Sequence, residues 1–224
     1  MAGGLLAFLR WSMEKALVLL SGGLDSTIAL FWARKRFGDE NVRAVTYDYG
    51  QANVEEMDAA EAVAALAGIS LIRREINPLD ARGPVMTTFQ SWADVHADVS
   101  LHSPGRILEL LVRATAETSN DELNIVSGVS AEHHYPDYQP HSIAAATQAL
   151  KACFNKPLTV HVPCLYLTKE AVIRFAGTLT GCMEALGVTM SCDFGKRPPC
   201  GVCRGCWIRA HGFELVGIPD PMLE

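Results

Sequence analysis

The stretch LVLLSGGLDSTIAL, residues 17–30, changes character twice within a few residues. Ala16 to Leu20 is a short apolar run with the composition of a strand covered on both faces of a sheet. Gly22 and Gly23 then permit a sharp reversal and a close approach of backbone to something bulky. Asp25 and Ser26 stand just before a segment predicted to be helical over 27–37 and closed by Gly38. Free N–H groups and the helix dipole favour an anion at such a start. Taken alone, the stretch has two readings, an ordinary tight turn with a capped helix or a cradle for phosphate.

Outward from this stretch, strands and helices alternate. NVRAVTYDYG (41–50) predicts a second strand ending near Asp48, and ANVEEMDAAEAVAALAG (52–68) predicts a helix. The acids of that helix fall in its first turns, where the dipole favours them, and Gly68 ends it. ISLIRREI (69–76), ELNIVSGV (122–129) and LTVHVPCL (158–165) predict further strands. GRILELLVRATAETS (105–119), QPHSIAAATQALKACF (139–154) and TKEAVIRFAGTL (168–179) predict helices, the last with Thr168 as its N-cap. Residues 77–104 are weakly patterned and too long for an ordinary connection, which suggests a substrate lid or an insertion. Repeated strand–helix units with two-face apolar strands imply an α/β fold with a doubly wound, mostly parallel sheet. Ligands in such sheets sit at the C-terminal strand ends. The Gly-rich turn, the Tyr47-Asp48-Tyr49-Gly50-Gln51 segment and the Ser127-Gly128 turn all fall there. That convergence favours the phosphate cradle.

Composition sets bounds. The 224 residues carry 19 Lys and Arg against 25 Asp and Glu, a formal charge of −6, which argues against a broad nucleic-acid footprint. No apolar run is long enough to span a bilayer. The start, MAGGLLAFLRWSMEK, lacks the marks of a signal peptide, so residues 1–12 read as a dispensable extension and Met13 as an alternative start. Of seven cysteines, Cys153, Cys164 and Cys182 lie in apolar or helical contexts and are expected to behave as small core hydrophobes. The other four form Cys192-x7-Cys200-x2-Cys203-x2-Cys206. Four thiolates in two arms, with Pro and Gly fixing the turns, suit a closed tetrahedral Zn²⁺ site of structural type. An iron–sulfur cluster and a catalytic redox pair are the alternatives. Crowding of this kind fits a reducing cytoplasm. The expected organisation is therefore the extension 1–12, an α/β nucleotide-binding domain over 13–187, and a zinc-binding segment over 188–224 packed on it.

A Walker loop needs a lysine that this turn lacks, and the G-x-G-x-x-G spacing of a dinucleotide fingerprint is also absent. Ser21-Gly22-Gly23-Leu24-Asp25-Ser26 instead resembles the S-G-G-x-D-S loop of the ATP pyrophosphatase (PP-loop) superfamily. The resemblance implies ATP bound by Leu20, Ser21, Gly22, Gly23, Leu24, Asp25, Ser26 and Thr27, with Asp48 at the end of the second strand. It implies cleavage between the α and β phosphates, and Mg²⁺ held with the help of Asp25.

With the C-terminal cysteines, the chain from Lys15 to about Phe213 resembles the 7-cyano-7-deazaguanine synthase family of queuosine-precursor biosynthesis. The residues that carry this are VTYDYGQ (45–51), SPGR (103–106), SGV (127–129) followed by YPD (135–137), VPCLYLTKEAVI (162–173) and SCDFG…CGVCRGCWIRAHGF (191–213). The resemblance implies that 7-carboxy-7-deazaguanine is adenylated on its carboxylate and that ammonia displaces AMP to give an amide. A second adenylation would then yield the nitrile. The work left to the protein is positioning and charge stabilisation. Asp25, Lys169 and Arg106 would be catalytic, with Tyr49, Gln51, Arg106, Gly128 and Asp137 binding substrate. Arg106 and Lys169 read equally as surface helix cations, and Asp137 as a turn-forming residue after proline. ATP, Mg²⁺ and structural Zn²⁺ are the implied cofactors, and a homodimer the implied assembly.

Departures from the family pattern are Leu24 for glutamine, Ile107 after Arg106, Ala52-Asn53-Val54 after Gln51, and His133-His134 before YPD. Apart from Leu24, they fall around the presumed substrate site. They leave open an enzyme that stops at the amide or joins the carboxylate to another amine, including one on a protein acceptor. Two readings of other classes remain, a tRNA thiolase and a catalytically inactive nucleotide- and zinc-binding module.

Overall fold

The computed structural model describes residues 14–51, 53, 55–77, 105–133 and 135–223. The predicted extension, Met13, residues 78–104 of the suspected lid over 77–104 (Ser103 and Pro104 included), Ala52, Val54 and His134 lie outside the described residues.

Five strands, β1 (Ala16–Leu19), β2 (Val42–Asp48), β3 (Ser70–Glu75), β4 (Asn124–Ser127) and β5 (Thr159–His161), form one parallel sheet in the order β3-β2-β1-β4-β5. Val18 on the central strand is paired with Ala44 on one side and Val126 on the other. Among the described residues, seven α-helices connect and flank the strands: α1 (Leu24–Phe37), α2 (Glu55–Ala67), α3 (Arg106–Glu117), α4 (Pro140–Phe154), α5 (Lys169–Ala176), α6 (Cys182–Leu186) and α7 (Arg204–Val216). This is the predicted doubly wound α/β sheet.

Alternation along β1 divides the core in two. Ala16 and Val18 face one side, where Ile28 of α1, Val63 of α2, Ile173 of α5, Leu186 of α6 and Phe213 of α7 pack together. Leu17 and Leu19 face the other, against Leu111 of α3 and Ile143 and Leu150 of α4. Burial on both faces holds without interruption for β1 and β4. It fails for β3, where Ser70, Arg73, Arg74 and Glu75 are exposed, because an edge strand has a neighbour on only one side. Charges there also discourage further strand addition.

The strand order reverses beside β1, since the chain runs outward through β2 and β3 and then returns to place β4 on the opposite flank. The crevice at that reversal is where a doubly wound sheet holds its ligand. Three local expectations are corrected. Helix α1 begins at Leu24, not at residue 27, because Gly23 serves as its N-cap and the Ser26 and Thr27 hydroxyls both donate to Gly23 O, at 3.0 and 2.9 Å. Asp25 and Ser26 therefore sit inside the first turn. Cys153 is exposed on α4, whereas Cys164 and Cys182 are buried as expected. The short helix α6 falls in a stretch for which no element was predicted.

Candidate active site and metal centre

The Gly-rich turn is held from three sides. Ser26 Oγ accepts from Ser21 N at 3.2 Å and from Ser21 Oγ at 3.0 Å, closing the loop on itself. Gly22 has φ +82°, and a Cβ on it would collide with the carbonyl of Glu56 and lie 2.7 Å from Ala60 N. Only glycine lets the start of α2 lie this close to the loop. Gly22 O in turn accepts from Met190 N at 2.9 Å, so the segment leading to the cysteines is hydrogen-bonded to the loop. At Gly128 a Cβ would meet the backbone of Asp25 and Ser26, which brings the end of β4 onto the first turn of α1.

These elements surround a cavity of about 390 Å³ at the C-terminal strand ends. Leu20, Ser21, Gly23, Leu24, Asp25 and Ser26, all from the set expected to bind nucleotide, line it. Gly22 and Thr27 do not: Gly22 backs onto α2, and Thr27 is fully buried. Tyr49, Gln51, Arg106 and Gly128 of the predicted substrate set also line it. The Gln51 amide is committed to backbone, accepting from Tyr49 N at 2.9 Å and donating to Tyr47 O at 3.3 Å.

Two further predicted residues lie off the cavity wall. Asp48 turns to the opposite side of β2 from its neighbours Tyr47 and Tyr49, where its carboxylate accepts from Gly50 N at 3.1 Å and lies 3.8 Å from Arg73. Asp137 Oδ2 accepts from Ile107 N at 3.2 Å. It therefore caps the start of α3, the helix that carries Arg106.

Lys169 and Asp25 are far apart in sequence and directly paired in space. Lys169 Nζ donates to Asp25 Oδ1 at 2.7 Å and Oδ2 at 2.8 Å, with side chains 13 % and 19 % exposed. Thr168 caps α5 as predicted, accepting from Ala171 N at 3.3 Å, and so fixes where Lys169 emerges. Arg106, at the start of α3, places its guanidinium 5.0 Å from the centre of the Tyr49 ring. Burial, and then the nearby Glu56 charge, push the Tyr49 phenol up, so it stays protonated at neutral pH. Tyr138 on the same wall is raised chiefly by burial.

Glu56 is a wall residue that the sequence reading assigned only to the helix dipole. Burial raises its carboxyl to about 7; Asp193 adds to the effect and Arg106 opposes it. A signal was available. Glu56, Ala60, Val63 and Ala67 follow helical spacing, and the last three are buried, so this acid heads the inward stripe while Asp58 is exposed. Met190, Ser191, Ile208 and Arg209 also line the cavity, so the cysteine segment forms part of its wall.

The four cysteines lie together with their sulfurs all within 4.8 Å of one another, and Cys200 Sγ is 3.9 Å from Cys206 Sγ. Zinc–sulfur bonds of ~2.3 Å in a tetrahedron set the sulfurs ~3.8 Å apart, so the donor set fits such a metal. Backbone N–H groups of Cys203, Cys206 and Asp193 donate to cysteine sulfurs at 3.3 to 3.4 Å, an arrangement that suits thiolates. Asn53 Nδ2 donates to Cys192 O at 2.9 Å and ties the site to the turn before α2.

A family model described as "Queuosine biosynthesis protein QueC" matches residues 15–217. The chain belongs to the QueC family. Relatives named 7-cyano-7-deazaguanine synthase resemble this QueC-family chain nearly end to end. The Chromobacterium violaceum protein is 40 % identical, covering 95 % of this chain and 94 % of its own. The Laribacter hongkongensis protein is 37 % identical, with coverage of 94 % and 95 %. That from Acinetobacter baylyi is 35 % identical, with coverage of 92 % and 93 %. Among the described residues of this QueC-family chain, no helix is long and apolar enough to cross a membrane.

Proposed function

We propose that this chain is an AMP-forming ligase that converts 7-carboxy-7-deazaguanine and ammonia to 7-cyano-7-deazaguanine, the last being the product that the names of its relatives give for them. The observation that carries the reading is the self-closed Ser21–Ser26 loop, set with the Lys169–Asp25 pair in one cavity at the sheet's switch point. A carboxylate is a poor electrophile, and adenylation turns one of its oxygens into a leaving group. The loop N–H groups and the start of α1 would hold the phosphates of ATP. Lys169 and Arg106 would offset the charge that gathers as the substrate carboxylate attacks the α phosphorus and pyrophosphate leaves. The carboxylate of Asp25 would share Mg²⁺ with those phosphates, exchanging Lys169 for the metal, and Mg²⁺ would supply charge neutralisation. Tyr49, Tyr138 and Arg106 would offer a flat, partly aromatic wall to the deazaguanine ring. Zinc on Cys192, Cys200, Cys203 and Cys206 would be structural, since four sulfurs leave no open position.

The test uses zinc-loaded protein with ATP, Mg²⁺, ammonium and the carboxy-deazaguanine. AMP, pyrophosphate and the nitrile are expected, with Asp25→Ala as the inactive control. No substrate-dependent AMP at any ammonium level would overturn the reading. Mass spectrometry of the product separates a nitrile from an enzyme that stops at the amide.

A further inference from the structure

We propose that Glu56 is the proton acceptor of the amination step, placed to take a proton from the attacking nitrogen. This deepens the ligase reading and rests on it. When the lone pair of ammonia attacks the acyl carbon, the nitrogen becomes cationic. The C–O bond to AMP then breaks with its electron pair on the AMP oxygen. Unless one N–H proton leaves, the adduct falls back to ammonia and acyl adenylate. Conversion of the amide to the nitrile makes the same demand. The neutral O-adenylated imidate must lose its last N–H proton while the N–H electron pair becomes the third C–N bond and AMP departs. In both steps the atoms and charges balance if one carboxylate accepts one proton and later releases it to solvent.

Among the described wall residues, the carboxylates are Asp25 and Glu56. Asp25 has both oxygens on Lys169 Nζ, at 2.7 and 2.8 Å, and is already committed to that partner. The wall tyrosines Tyr47, Tyr49 and Tyr138 are raised and hold their protons. Arg106, Lys169 and Arg209 are cations. Glu56 remains. It is partly buried at the head of α2, its backbone lies against Gly22 of the loop, and no described cation closes on it as an ion pair. The charged and titratable groups facing it are Arg106 from α3, Tyr49 after β2 and Asp193 from the cysteine segment. Arg106 acts on Glu56 and stands over Tyr49, so acid, cation and phenol converge on one side of the cavity. A carboxyl shifted to about 7 is matched to accepting a proton near neutral pH.

Zinc-loaded wild type and Glu56→Gln are compared in three assays with ATP and 7-carboxy-7-deazaguanine. These are carboxylate-dependent ATP–pyrophosphate exchange, product formation with ammonium, and hydroxamate formation with hydroxylamine. Hydroxylamine is a strong nucleophile that loses its proton easily and needs little help from a base. The expected result is exchange and hydroxamate formation within a few-fold of wild type. The reaction with ammonium should fall ~10²–10⁴-fold, the usual contribution of a general base. Formate added to Glu56→Ala should restore part of the ammonium reaction. Unchanged use of ammonium by Glu56→Gln overturns the inference and leaves the ligase reading standing, as does equal loss in all three assays. Absence of exchange in the wild type overturns both.

Discussion

At the residue scale, the Asp25–Lys169 pair joins the first loop of the chain to a helix 144 residues later, and both oxygens of the carboxylate contact one ammonium. Neither side chain should act alone. Asp25→Ala and Lys169→Ala are each expected to lower substrate-dependent AMP release by ~10²–10³-fold, and the double variant to be little worse than the worse single one. Steady-state kinetics on the three proteins checks this. Glu56 bears on stability with a definite sign. Its carboxyl has an ordinary value of 4.5 and is held at about 7 in the folded protein, so folding favours the protonated form. Below 4.5 both states are protonated and the shift has no effect on stability. Between 4.5 and 7 stability falls as pH rises, and above 7 the full cost remains, at most about 3 kcal/mol. Glu56→Gln should therefore melt higher than wild type at pH 8, with the gap closing towards pH 5. Asp25 and Lys169 were legible because each sits in a short motif of fixed spacing. Glu56 was not recognised, because Glu55, Glu56 and Asp58 crowd one helical turn and the dipole accounts for all three alike. That Asp48 and Asp137 lie off the cavity wall was not legible, because strand parity and a cap formed across 30 residues decide where a carboxylate points.

At the element scale, the turn between β1 and α1 is shaped by what lies behind it as much as by its own glycines. Gly22→Ala adds a methyl that must displace the first turn of α2 and forces a non-glycine residue to φ +82°. A cost of roughly 1–3 kcal/mol is expected, together with weaker binding of an ATP analogue, read by thermal melts and calorimetry. The same methyl should disturb Glu56, whose carbonyl it meets. Most elements were legible from periodicity and punctuation, and the predicted helices and strands match within a few residues. The start of α1 was missed because polar residues inside a first turn look like residues before it. Side-chain bonds to Gly23 O, invisible in sequence, place them inside. Helix α6 is short and flanked by glycines, so no apolar period announces it.

At the scale of the whole molecule, the C-terminal segment is fastened by a buried ion pair. Arg209 donates to Asp220 at 2.6 and 2.7 Å, to Thr189 Oγ1 at 2.6 Å and to Ser191 Oγ at 3.1 Å, and the paired side chains are only 4 % and 7 % exposed. Removing one partner leaves the other charged and desolvated, so Asp220→Ala is expected to cost ~3–5 kcal/mol, measured by denaturant unfolding of the zinc-loaded protein. The parallel sheet could be read from its alternating units. This clamp could not, because nothing local links Arg209 to Asp220 or marks Arg209 as a residue facing the cavity.

The hydrogen bond from Met190 N to Gly22 O has a thermodynamic corollary. If metal at the cysteines steadies the segment that braces the loop, occupancy at either place must favour occupancy at the other by the same factor. A chelator should therefore strip the metal more slowly when a non-hydrolysable ATP analogue is present, and the stripped protein should bind that analogue more weakly. The cysteine site and the Gly-rich loop would then behave as two ends of one reciprocal equilibrium.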